Sequence, residues 1–266
     1  SAENKAGSKD SFKEKLEVLR EEAERGTFSF SLSQLDEFIS QYEAFGSGSV
    51  RHSSEYREAY APAYRLIDSR YIPLLPVIRE MYRLLREKRR IFVAVDGNAA
   101  AGKSTAGVLS SRLFPSNCIH MDDFFLPPSL RTKERLRQPG GNVHYERFWE
   151  EVLCPLRQGV SSFYSAFDCG TGGYGPAIAL HPQPVEIVEG SYSQHPFFGN
   201  SYDLRVFCSV SPEKQKERIL MRNGEEGWHM FLERWIPLEN VYFSSFAILE
   251  TSDIQIQTEE NSLFGY

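Results

Sequence analysis

Residues 91–105 read IFVAVDGNAAAGKST. Ile91 to Val95 is a short, unbroken apolar run rich in β-branched residues, the pattern of a strand buried on both faces. Gly97 to Ser104 follow the spacing G-x-x-x-x-G-K-[ST] of a phosphate-binding loop. Ala106 to Leu113 predict a helix, and Pro115 lies just beyond it. Strand, loop and helix in this order are the context the motif requires. The two glycines let the backbone turn and approach a phosphate without a Cβ in the way. The loop N–H groups and the helix N-terminus point at the anion. Lys103 brings a positive charge to the β- and γ-phosphates, and Ser104 offers a hydroxyl to Mg²⁺. The candidate nucleotide-binding residues are therefore Gly97, Asn98, Ala99, Ala100, Ala101, Gly102, Lys103, Ser104 and Thr105.

Downstream, Asn117 to Met121 predict a second apolar strand, ending in Asp122 and Asp123. Carboxylates at the C-terminal end of a strand in an open α/β sheet sit where ligands bind. Asp122 can serve there as a general base or reach the metal; capping the next turn is the other reading. Arg131 to Gln138 is charged and reads as a mobile surface segment. Tyr145 to Leu156 has helical spacing, with Phe148, Val152 and Leu156 on one face. Phe163 to Phe167 and Ala177 to Leu180 flank a run of glycines and predict a hairpin. Val185 to Glu189 is another apolar strand ending in a carboxylate, which makes Ser104 and Glu189 the candidate metal contacts. Leu204 to Val210 is a third such strand. Ser211-Pro212 then opens a helix bearing Lys214, Lys216, Arg218 and Arg222, either a solvated face or a lid that closes on phosphate. Ile254 to Ile256 predict a last strand.

Upstream, the first 88 residues read as helical. Ser11 to Glu14 fits a capping box, and Phe12, Leu16, Leu19 and Ala23 then recur on one face. A second helix is expected near Ser33, lined by Leu35, Phe38, Ile39 and Tyr42. Gly46 to Ser49 is a flexible break. Tyr56, Tyr60 and Tyr64 repeat at i+4, and Pro73 opens a helix with Val77, Ile78, Met81 and Leu84. The expected organisation is a helical extension over 1–88 and a nucleotide-binding domain over 89–266. The extension either binds a partner, including a second copy of the chain, or packs against the core.

Composition narrows the classes. The 266 residues are 41% hydrophobic and 25% charged, ordinary globular values, and the net charge of −6 speaks against a nucleic-acid partner. An acidic protein that binds an acidic nucleotide must concentrate positive charge locally and use a metal. The four cysteines form no C-x-x-C pair and read as free thiols of a reducing compartment. No apolar stretch approaches the ~20 residues that span a bilayer. The expectation is a cytoplasmic protein with no membrane partner.

Together, GNAAAGKST, the D-x-F at Asp122 to Phe124, N-x-x-Y-E-R-F from Asn142, VEG at 188–190 and R-I-L-M-R at 218–222 resemble the uridine kinase and phosphoribulokinase group of P-loop kinases. Within it, the chain resembles the bacterial uridine kinase-like proteins, from about Ile91 to about Phe243. The resemblance implies a three-layer α/β/α fold with a mostly parallel sheet, and transfer of the γ-phosphoryl of ATP to a hydroxyl of a small molecule, with Mg²⁺. It implies Asp122 as base, Glu189 as metal-associated acid, and Arg218 and Arg222 as lid arginines that contact nucleotide. Lys103 and Arg222 would join Asp122 in catalysis. Acceptor contacts are implied at Asp122, Phe125, His144, Tyr145, Phe167 and Asp168. Two positions depart from the pattern. His144 stands where the uridine kinases carry an Asp that holds ribose hydroxyls, and an imidazole is no two-acceptor clamp. After Phe167-Asp168-Cys169 no histidine follows until His181, so a pyrimidine reader is missing.

The sequence supports two readings. One is a small-molecule kinase acting on a nucleoside, another ribosylated compound or another alcohol. The other is a P-loop regulatory or interaction protein whose N-terminal helices meet its partner. ATP turnover that requires an added alcohol favours the first; turnover or binding that responds only to a protein favours the second.

Overall fold

The structure is a computed structural model that describes residues 9–46, 52–61 and 68–258. The chain divides into two compact units, Ser1–Arg65 and Leu66–Tyr266. In the first, the helix Lys9–Glu24 begins ahead of Ser11, so the expected capping box is absent there. The box forms instead at the next helix, Leu32–Ala44, where Ser31 and Gln34 satisfy each other's backbone N–H groups. Ala23, Leu35 and Ile39 make a small buried cluster with Leu16, Leu19 and Leu32 against it. Tyr56 and Tyr60 lie on the short helix Ser54–Tyr60 and are exposed. Tyr64 and the break at 47–49 fall outside the described residues.

The second unit is built on a five-stranded sheet. Its strands are β1 (Ile91–Gly97), β2 (Ser116–His120), β5 (Val185–Glu189), β6 (Leu204–Ser209) and β7 (Ile254–Gln257), in the order β2-β5-β1-β6-β7. Every pairing in it is parallel. β3 (Ser162–Asp168) and β4 (Gly173–Leu180) form a separate antiparallel hairpin. The alternation of side chains along each strand makes the three layers. Ile91, Val93, Val95, Val185, Ile187, Leu204 and Val206 face one layer, which contains the helices Leu75–Glu87 and Lys103–Ser111. Phe92, Val188 and Phe207 face the other, against Phe148, Val152, Leu156, Tyr242 and Phe243. The fold is thus the expected α/β/α sandwich. The helix Leu75–Glu87 supplies Val77, Ile78, Met81 and Leu84 to the sheet's core, so the compact unit begins at Leu66 rather than at 89.

Register brings the strand ends together. Val95 pairs with Glu189, and His120 pairs with the same residue from the other side. The ends of β1, β2 and β5 are therefore level, and the loops leaving them open onto one place.

Candidate active site

The loop after β1 is held by its carbonyls. Lys103 Nζ donates to Gly97 O and Asn98 O, both at 2.8 Å. Gln215 Nε2 donates to Ala99 O, Arg218 to Ala100 O, and Thr258 Oγ1 to Ala101 O, at 3.0–3.1 Å. Five successive carbonyls are thus engaged, three of them by side chains outside the cavity lining, and the loop's N–H groups are the part that an anion would meet. Gly97 is required by space: a Cβ there would lie 2.0 Å from the Cys208 carbonyl oxygen. Ala100 and Gly102 have φ of 58° and 86°, so Ala100 adopts a left-handed conformation that side chains disfavour.

One donor on the cavity side is already engaged. Ala99 N–H donates to Glu239 at 2.9 Å, and Ser191 Oγ donates to the other oxygen of that carboxylate at 2.6 Å. Burial raises the Glu239 pKa, and Lys103 opposes this. Beneath the loop, the fully buried Asp96 accepts from Gly97 N, Tyr192 N, Gln194 N and the Tyr242 hydroxyl. That carboxylate joins three segments at one point. Burial moves its pKa up to about 6 even so.

A cavity of about 590 Å³ lies over the loop. Ala99, Ala100, Gly102, Lys103, Ser104 and Thr105 form one part of its wall, and Asp122, Phe125, Glu189, Tyr192, Arg222, Trp235 and Glu239 line the rest. Ser104 Oγ donates to Glu189 Oε2 at 3.1 Å. The other oxygen of Glu189 meets His120 Nδ1, and that contact raises the pKa of the imidazole. A hydroxyl and a carboxylate facing a phosphate loop fit Mg²⁺, which takes one or two protein oxygens and fills its octahedron with phosphate and water. Among the described residues, no group of three or more His, Cys, Asp or Glu gathers as a metal site without a nucleotide.

The two adjacent aspartates diverge. Asp122 lines the cavity with its surface exposed to it, and the desolvation by its surroundings raises its pKa, opposed by Lys103. Asp123 accepts from the Tyr164 hydroxyl at 3.0 Å, beneath the hairpin.

Several expected contacts lie elsewhere. Arg218 is buried, and it donates to Ala100 O and Thr258 O behind the loop instead of reaching across the cavity. Tyr145 stacks on His195 with centroids 4.3 Å apart, under the Arg135 guanidinium. Phe167 is buried against Tyr174. Asp168 accepts from Gly170 N and Thr171 Oγ1 and so caps the hairpin turn; the residue of that turn that lines the cavity is Cys169. His144 is half-buried outside the lining, and burial lowers its pKa. The charged stretch 131–138 is pinned, with Arg135 forked onto Glu146 and bonded to the Gly141 and Val143 carbonyls.

Other residues entered the site without a sequence signal of their own. They are Arg70, held by both oxygens of Asp68, together with His120, Tyr192, Trp235 and Glu239. Asp96 had one signal: an acid at the end of an apolar strand, just before the first glycine of the loop.

No family model matches this chain, and no curated protein does. Among solved structures, a possible uridine kinase from Bacillus stearothermophilus is 16% identical. The match covers 68% of this chain and 99% of that one, with a TM-score of 0.49. D-glycerate 3-kinase from Cryptococcus neoformans var. grubii is 12% identical over 66% of this chain and 89% of its own, with a TM-score of 0.46. Identity this low does not transmit a substrate or a mechanism.

Proposed function

We propose that the chain is an ATP-dependent small-molecule kinase that transfers the γ-phosphoryl group to a hydroxyl of a small alcohol. One observation carries this reading. The phosphate loop with Lys103 and Ser104, the strand-end Glu189 and the carboxylate of Asp122 all line the same cavity. A loop that binds phosphate and a base aimed at the same recess are the two requirements of transfer to an alcohol.

In this reaction the bond from the γ-phosphorus to the bridging oxygen of ATP breaks, and a new bond forms to the acceptor oxygen. The acceptor's proton passes to Asp122, and ADP leaves. The loop N–H groups and Lys103 hold the phosphates and offset the charge that develops on them. Mg²⁺, when bound through Ser104 with Glu189 beside it, would neutralise the β- and γ-oxygens and align them. The raised pKa of Asp122 suits a base that gives up solvation to face the acceptor. Arg222, on the cavity wall, donates to Asn223 Oδ1 and packs on Phe231, and from there its guanidinium would turn to the phosphates. Trp235 and Phe231 give the same recess an apolar wall.

The test is ADP release from ATP and Mg²⁺ against a panel of nucleosides, sugars and simple alcohols. Turnover that needs one of them supports the kinase. Turnover that no alcohol raises, but a protein does, would replace it with the regulatory reading.

A further inference from the structure

The turn Ser69–Tyr71, just ahead of the helix Leu75–Glu87, brings Arg70 to the cavity wall. Asp68 caps that turn by accepting from Arg70 N at 3.1 Å. The same carboxylate holds the guanidinium, whose Nε and Nη2 donate to its two oxygens at 3.1 and 2.7 Å. Two of the three nitrogens are thus fixed, and the two N–H groups of Nη1 are left to donate. The turn itself is anchored, since Tyr71 and Leu74 pack into the sheet's core.

The place of that turn follows from the helix behind it. Leu75–Glu87 leads through 88–90 into the start of β1, and Lys88 pairs with Asp203 ahead of β6. Its other end therefore lies at the C-terminal ends of the strands, where the phosphate loop opens. The helix runs along β6 and β7: Leu75, Arg79 and Arg83 line one groove with Leu204 and Ile254. Sheet order puts β6 and β7 on one side of β1, and β2, which leads to Asp122, on the other. Arg222 shares the side of Arg70, because its helix follows β6 and Arg218, one turn earlier, is bonded to Thr258 beyond β7. In phosphoryl transfer the attacking and leaving oxygens lie roughly in line through phosphorus. With the acceptor hydroxyl at Asp122, the departing ADP points away from β2, towards Arg70 and Arg222.

We propose that Arg70 is a nucleotide-binding residue: it donates to the phosphate chain of ATP and ADP from the side of the cavity opposite Asp122, and Asp68 positions it. An ion-paired guanidinium suits this task, because the pair fixes its plane and leaves Nη1 for a charge-assisted bond. Arg70 lies upstream of Ile91, where the likeness to P-loop kinases begins, so none of the motifs contains it. This deepens the kinase reading and rests on it for the direction in which the nucleotide lies.

The experiment is calorimetric titration of the full chain with ADP and with an unhydrolysable ATP analogue, each with Mg²⁺, at low and at high KCl. Arg70→Gln should lower the affinity for both nucleotides about tenfold, the worth of a partly exposed hydrogen bond from a charged donor. Added salt should then weaken binding less steeply than in the parent, since one screened contact is gone. The melting temperature of the ligand-free protein should stay nearly unchanged, because a partly exposed ion pair contributes little. Unchanged nucleotide affinity in Arg70→Gln would overturn the proposal. Weaker binding with a lower melting temperature and the parent's salt dependence would also overturn it, and would make Arg70 a brace of the turn. Nucleotide binding that depends on Arg70 but is never followed by transfer to an alcohol would keep this contact and overturn the kinase. Transfer to an alcohol, with parental affinity for ADP in Arg70→Gln, would do the reverse.

Discussion

At the scale of single residues, the pair Asp122 and Asp123 carries the sharpest expectation. D-x-F spacing selected Asp122 in the sequence, and the two side chains have different surroundings, one the cavity and the other the Tyr164 hydroxyl. Asp122→Asn retains size and a hydrogen-bonding oxygen but removes the proton acceptor. With a working acceptor and saturating ATP, kcat should fall by about 10²–10⁴, the worth of a positioned general base, while ATP binding is retained. Asp123→Asn should cost far less; the reverse ranking would show that the base is misassigned. A second expectation concerns Glu189, which is bonded to Ser104. Glu189→Gln keeps the shape and loses the charge, so the Mg²⁺ concentration for half-maximal activity should rise; an unchanged titration would remove Glu189 from the metal's surroundings. The sequence could mark these residues because each ends a strand inside a short local pattern. It could not mark Glu239 or Tyr192, whose partners in the loop and beneath it lie up to 140 positions away, a distance that no local spacing records.

At the scale of elements, the helix Pro212–Met230 shows how a correct outline can conceal a wrong role. Its charges read as one solvated face or one lid. Gln215, Arg218 and Ile219 share the inward face, at i, i+3 and i+4, and are buried, while Met221 and Arg222 are exposed. Arg218 is buried, and Arg222, one turn further on and just ahead of the break at Gly224 (φ 68°), is exposed, so the arginines four apart serve different ends. Arg218 props the phosphate loop from behind, and Arg222 lies on the cavity. If that is the division, Arg218→Ala should destabilise the ligand-free protein by about 2–3 kcal/mol, since buried bonds from a charged donor are lost, and nucleotide affinity should fall as a consequence. Arg222→Ala should leave the ligand-free melting temperature nearly unchanged and act only on turnover. Thermal melts of the two variants without nucleotide separate these outcomes. The hairpin was legible from its glycines, but its contact with the cavity through Cys169 was not, because the register of a turn depends on its own hydrogen bonds, here those of Asp168.

At the scale of the whole molecule, the layers and the sheet were legible because β1 is an unbroken apolar run over Ile91 to Val95, and the runs of β5 and β6 are interrupted inside only by Glu186 and Arg205. The boundary of the compact unit was harder to read: an amphipathic helix ahead of the first strand has the same pattern whether it covers the sheet or belongs to a separate extension. The second unit also carries a consequence for its response to acid. His195 lies among Tyr145, Phe198, Tyr242 and Phe246, with its ring nearly parallel to that of Tyr145. Burial lowers its pKa to about 4, assisted by Arg135 and opposed by the Pro139 carbonyl and Glu146. In the unfolded chain the value returns to about 6.5. Between those two values the unfolded state binds more protons, so the stability contributed by the neutral ring is complete above about 6.5 and is lost as pH falls towards 4. Asp96 acts in the opposite sense: with its pKa raised to about 6, protonation in the fold favours the native state as pH falls. The net acid profile therefore mixes two signs, and His195 must be isolated by substitution. His195→Phe keeps an aromatic ring in the stack and does not titrate. Relative to the parent, its unfolding free energy should rise by about 2 kcal/mol between pH 7 and pH 5, as read from urea denaturation at both values. A difference that stays constant over that range would mean that His195 titrates in the fold as it does in water, and that the aromatic stack is open to solvent.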